Sequence, residues 1–209
     1  DNSKVFDTSR GIGSGSEPYL TTTTSEQEQT YGYLTSVNSD GFTWDTTDSS
    51  VGASSNTYVA WAWKANGGTR TTFTESGNNP AGGRQVNTTA GFSIVDYTGT
   101  GSAGTLAHGL GATPHWIIVK RRDASSSWIV YHHKNTDAPE TDILELQATN
   151  ATYDNSTYWN DTAPTSSVFT VNTSSDGNAD GGTYIAYVFT EIQGYSKFGS
   201  YTGNGNADG

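Results

Sequence analysis

Asp176, Asn178 and Asp180 stand at alternating positions in DGNADGG, with Gly181 following. This is the oxygen spacing with which a calcium loop of the EF-hand kind begins, so calcium is the cofactor these side chains would take. The twelfth position of such a loop needs a bidentate glutamate and is Tyr187 instead. A Gly- and Asn-rich hairpin turn explains the same residues without a metal. Asn204, Asn206 and Asp208 echo the spacing and read equally as a turn.

Tyr158, Trp159, Asn160 and Asp161, with Tyr153 close by, offer a second chemistry. Sugar rings need an apolar face to stack on and planar acceptors for their hydroxyls, so these four residues are candidate glycan ligands. The competing reading has Trp159 plug the end of a β-sandwich. Glycoside hydrolysis needs two carboxylates facing across a cleft. Glu140, Asp142, Glu145 and Asp154 are available among 21 acidic residues, but no spacing fixes a pair. The four histidines, His108, His115, His132 and His133, show no convergent metal spacing, and the adjacent pair points to opposite faces of a strand. His108-Gly-Leu-Gly resembles an oxyanion loop, yet no G-x-S-x-G partner occurs, and His108 reads as the start of a tight turn. No catalytic residue is assigned, and the chain reads as non-enzymatic.

The elements that would carry these residues are strands. Thr, Gly, Ser, Asn and Asp abound, and such residues favour turns and strand surfaces over helix interiors. The apolar content of 32% is low, but aromatics reach 12% and cluster at strand spacing, so the chain folds around a core rich in rings. Strands are expected at Trp116–Val119, Trp128–Tyr131, Ile143–Leu146, Val168–Val171, Tyr184–Phe189 and Ser196–Tyr201. Turn signals every 8 to 15 residues with no helical period predict an all-β fold: antiparallel β-sandwich or jelly-roll units with little helix. A net charge of −11, with only ten Lys and Arg, argues against nucleic acid as a partner. No apolar run is long enough for membrane insertion as a helix.

Two internal echoes define the organisation. AGFSIVDYTGTG, residues 90–101, returns as QGYSKFGSYTGNG, residues 193–205. Likewise TYVAWAW, ending at Trp63, returns as TYIAYVF, ending at Phe189, and Phe42 matches Phe169. The copies therefore mark units in tandem. Residues 1–64 read as the C-terminal part of a first β unit, and 65–90 as a Gly/Asn/Thr-rich linker or extended arm. Residues 91–193 read as one complete β-sandwich unit, and 194–209 as the opening strand of a further one. Ile185, Tyr187 and Phe189 share one face of their strand, as Val59, Trp61 and Trp63 share one face of theirs; these bulky faces are expected to be core.

The run GFSIVDYTGTG, HGLGATPHWIIVKRRDASSSWIVYH, YWNDTAPTSSVFTV, TYIAYVF and GYSKFGSYTGNG resembles a repeat domain of marine phage tail-fibre-like or virion structural proteins. The resemblance covers residues 91–209 and, more loosely, 1–64. It implies a β-rich module on an extended appendage at a virion surface or outside the cell, and it carries no catalytic residues. Expected partners are further copies of the chain, as a homo-oligomer or filament joined by strand complementation, or other virion proteins. The alternatives are a lectin-like module recognising a host surface glycan, and a secreted β-sandwich glycan hydrolase.

Overall fold

The computed structural model describes residues 3–12, 17–44, 49–66 and 69–207. Its first strands are β1 (Lys4–Val5), β2 (Glu17–Thr21), β3 (Gln29–Tyr31), β4 (Leu34–Val37), β5 (Phe42–Trp44), β6 (Thr71–Phe73) and β7 (Ala81–Asn87). Then follow β8 (Phe92–Thr98), β9 (Gly104–Ala107), β10 (Trp116–Arg121), β11 (Trp128–His132), β12 (Asp142–Glu145) and β13 (Tyr153–Asp154). The helix α1 (Ser156–Trp159), β14 (Val168–Val171), α2 (Ser175–Asn178) and β15 (Thr183–Phe189) complete the order. The protein is all-β and antiparallel, and the two helices among the described residues are four residues each.

The body is an eight-stranded sheet in the order β13-β12-β11-β10-β15-β8-β7-β6. The bulky face of β15 was expected to be the core face; both of its faces are. Tyr184, Ala186 and Val188 join Val95, Ile117, Val119 and Ile129 under a cover made by the β9–β14 pair and α1, which supplies Leu106, Phe169, Val171, Tyr158 and Trp159. Ile185, Tyr187 and Phe189 join Phe92, Ile94, Ile118, Trp128 and Val130 under the N-terminal layer, which supplies Leu20 and Val5. A sheet covered on both sides needs apolar residues at consecutive positions, and this is why TYIAYVF and WIIV are runs rather than alternations.

The structure redraws the expected domain map. Residues 65–90 are not a free linker: they contain β6 and β7, and β7 pairs with β8 along its whole length, from Ala81↔Thr98 to Asn87↔Phe92. The glycines that made this stretch look like a linker serve close packing instead. A Cβ on Gly82 would lie 2.0 Å from the carbonyl oxygen of Asp96. The N-terminal residues do not stand apart from the complete unit either. β1, β2 and β3 form a three-stranded sheet on its second face, and Trp128 Nε1 donates to Thr21 O at 2.9 Å. Ser196–Tyr201, expected as a strand, lies outside any strand and makes one isolated bridge, Ile192↔Ser196. Among the described residues no helix is long and apolar enough to cross a membrane.

Candidate assembly surface

The residues singled out for calcium do not converge. Ser174 caps a helical turn, so Asp176 and Asn178 ride on α2 rather than on an open loop. Asp176 accepts from Ser126 Oγ at 2.7 Å and from Tyr158 OH at 3.2 Å. Asn178 is fully buried; its Oδ1 accepts from Thr100 N, and its Nδ2 donates to Ser102 O and Asn172 O. Asp180 is exposed beyond the helix. The expected metal loop is therefore a polar brace between α2 and the loop after β8. Asp208, from the C-terminal echo, lies outside the described residues.

The glycan platform also dissolves into the core. Asn155 caps α1, and its Oδ1 accepts from Thr157 N at 3.1 Å; the turn this starts swings Tyr158 and Trp159 inward. Trp159 is 3% exposed, meets Tyr131 edge-on and donates Nε1–H to Asp142 O. Asn160 ends α1 in the left-handed region at φ 54°, where Asn is tolerated, and Asp161 follows at φ 45°. Neither ring offers a face to a sugar. Glu145 accepts from Ser127 Oγ and Asn150 Nδ2, while Asp142 accepts from Thr136 Oγ1. His108 is buried, with Nε2 at 3.2 Å from Thr165 O, and burial lowers its pKa.

What sequence reading missed lies at the end of the sheet where β15 finishes and β8 and β10 begin. Phe189 gathers Phe92, Trp116, Trp63 and Phe198 around its ring, with centroids 4.8, 5.0, 6.1 and 6.0 Å away. His115 and His133 meet there edge to face, with ring centroids 4.5 Å apart. Together with Glu191, His133 clasps the chain after β15. The amide of Phe198 donates to Glu191 Oε1 at 3.0 Å, and Phe198 O lies 3.0 Å from His133 Nε2. This amide bond is the leading cause that holds the Glu191 carboxyl below its usual range. Burial lowers His115 and His132, and neighbouring His133 lowers both further.

Two segments leave this end with most of their large apolar residues in water. Val59, Trp61 and Trp63 are 74%, 74% and 53% exposed, and Tyr195 and Tyr201 are 65% and 95% exposed. Their counterparts in the echoed text are core. Ile185, Tyr187 and Phe189 correspond to Val59, Trp61 and Trp63, and Phe92 and Tyr97 to Tyr195 and Tyr201; none of these five exceeds 8% exposure. Burying a side chain of this size is worth about 1.5–3 kcal/mol, so each segment forgoes several kcal/mol that the same text gains inside the sheet. Large exposed apolar patches of this sort mark interaction surfaces.

The backbone repeats as well as the text. Gly91 and Gly194 both take left-handed φ, 64° and 79°, and so do Gly101 and Gly205, at 67° and 73°. The second copy thus keeps the turn geometry of the first without its neighbours. Comparison with curated proteins finds no match, and comparison with solved structures finds none. The model of a family described as a domain of unknown function, DUF7483, matches residues 1–209, and the chain accordingly belongs to the DUF7483 family.

Proposed function

We propose that this chain is a non-enzymatic structural repeat protein of an extended filament, of the tail-fibre kind, at a virion surface or outside the cell. Its partners are further copies of itself or other virion proteins. One observation carries the reading: text that forms buried strands in the complete unit recurs at 58–63 and 195–201 with Val59, Trp61, Trp63, Tyr195 and Tyr201 exposed. Such text is built to be covered by another element, and repetition of the unit supplies one. The carboxylates that site chemistry would draw on are committed instead to the framework, Asp176 to α2 packing and Asp142 to Thr136. The test is immunogold labelling of native particles and extracellular filaments with antibody raised against the purified chain. Label at regular intervals along an appendage is expected; label confined to soluble monomer in the cell would overturn the reading.

A further inference from the structure

We infer that residues 59–63 form a two-fold contact between two copies of this chain, each segment pairing antiparallel with the same segment of the other. Trp61 stands opposite Trp61, Val59 opposite Trp63, and Ala60 opposite Ala62. This rests on the assembly reading above and names a partner for one of its exposed segments. The five residues are bulky at 59, 61 and 63 and small at 60 and 62. Residues directly opposite in an antiparallel pair share a face of the sheet. An axis through residue 61 therefore gathers all six bulky side chains on one face and all four alanines on the other. An axis between two residues sets Ala60 opposite Trp61 or its like, and spreads the rings over both faces. Moving the axis to residue 60 sets Trp63 against Thr57, and moving it to residue 62 sets Val59 against Ala65. Only the axis through 61 sets each of the three bulky residues against another of the three.

The main chain is free to make this pair. No described residue hydrogen-bonds the backbone of Val59 to Trp63, and the ladder is first obstructed at Lys64, whose carbonyl accepts from Asn87 Nδ2 at 2.9 Å. Both edges of the segment are thus open, so neither phase of antiparallel hydrogen bonding is blocked. No residue from Asn56 to Lys64 takes a left-handed φ, and Val and Trp favour strands. Other partners are poorer. β15, which carries the matching text, pairs with β8, and the text of β8 returns at 195–201. That second copy is already committed: Ser196 exchanges main-chain bonds with Ile192, Phe198 N donates to Glu191, and Phe198 O lies 3.0 Å from His133 Nε2. Among the described residues every strand at the edge of a sheet is four residues or shorter. The segment itself is the one open edge of matching length. Tryptophan buries up to about 250 Å2, so the exposed parts of Val59, Trp61 and Trp63 on both chains come to roughly 700 Å2. With the paired main chain the contact approaches the roughly 1,000 Å2 at which specific interfaces begin, which makes a weak dimer populated at high concentration. Each chain carries a net charge of −11, so copies repel at a distance, and salt that screens this repulsion strengthens a contact between uncharged residues.

The chain has no cysteine, so introduced thiols report contacts without background. Chains carrying Ala60→Cys are mixed with chains carrying Ala62→Cys and oxidised; both positions are exposed, and both variants keep the bulky face intact. Opposed residues lie about 4.5–5.5 Å apart between Cα atoms, within disulfide reach, whereas each thiol and its own copy lie about 8 Å apart and beyond it. The mixed disulfide, identified by mass, is expected in at least tenfold excess over either like-with-like product. In sedimentation equilibrium the native chain should dimerise more tightly as sodium chloride rises from about 0.01 to about 1 M. Trp61→Ser, with its fold checked by circular dichroism, should weaken the dimer at least tenfold. Equal disulfide yields, a dimer untouched by Trp61→Ser or weakened by salt, or a chain monomeric at millimolar concentration would each overturn the inference. So would a monomer that binds phosphatidylcholine vesicles or a polysaccharide through Trp61, which would assign the segment to that occupant. Dimers of this register from chains that never label a filament keep the contact and remove the assembly reading. Labelled filaments from chains that do not pair through Trp61 do the reverse.

Discussion

Lys120 is a cation in the wrong solvent. Its side chain is fully buried, and its Nζ donates to the carbonyl oxygens of Ser126 at 2.7 Å and Ser25 at 3.1 Å. Burial pushes its pKa from 10.5 down to about 8; Asp176 opposes the shift and Arg121 adds to it. The folded value lies below the unfolded one, so between pH 8 and 10.5 the unfolded chain binds the proton more tightly. Stability therefore rises with pH through this window and is lost as pH falls through it. Tyr97 and Tyr187, raised by burial above 10, act in the opposite sense only at higher pH. The thermal midpoint of the native chain should climb between roughly pH 7.5 and 9.5, and that of Lys120→Met should stay flat, as read by circular dichroism. Gly91 gives a second residue-scale test. A Cβ there would meet Thr190 O at 2.6 Å in a left-handed backbone, whereas Gly194 has the same backbone in open space. In urea titrations Gly91→Ala should cost about 3 kcal/mol and Gly194→Ala about 1 kcal/mol, because only the first adds a clash to the strain.

Among the elements, the N-terminal layer is held to the sheet by buried charge. Arg10 donates from Nε to Asp7, from Nη1 to Glu28 at 3.1 Å and from Nη2 to Val5 O at 2.9 Å. Asp7 also accepts from Tyr187 OH at 2.6 Å, at the centre of β15, and Glu28 accepts both Nε and Nη2 of Arg122. Removing one partner of a buried pair strands the other, at about 3–5 kcal/mol. Asp7→Ala should lower the unfolding free energy by that amount and release amide protection first in β1 and β2, as hydrogen exchange will show. The strands at Trp116, Trp128, Ile143, Val168 and Tyr184 were legible in the sequence because apolar runs between turn signals admit one reading. β7 was not, since AGGRQVN has the composition of a loop; its glycines answer to a neighbouring backbone that sequence does not display. Ser196–Tyr201 and Tyr58–Trp63 erred the other way. A strand is a relation between two segments, and propensity writes down only one of them. The same limit hid the site: Tyr158 and Trp159 looked like ligand platforms because the Asn155 cap that turns them inward is a local hydrogen bond rather than a pattern.

For the whole molecule, the position of β15 sets the order in which the fold can close. It is the last strand among the described residues and sits mid-sheet between β10 and β8. Adjacent strands here come from opposite ends of the unit, and long-range pairings of this kind form slowly. During synthesis β8 and β10 must wait side by side with an empty lane between them until the ribosome has delivered TYIAYVF. A finished neighbour already displays TYVAWAW, a near-copy of the missing strand, in the open. The lane can thus be filled by the wrong molecule, and the difference between the two texts becomes a proofreading device. Tyr184 stacks on Tyr97 at 5.0 Å and donates its hydroxyl to Ser175 O, and Tyr187 reaches Asp7; Trp61, standing where Tyr187 should, brings no hydroxyl to that acid. A chain that repeats itself must make its own strand the better fit, and here four of seven positions differ, the Tyr187 phenol among them.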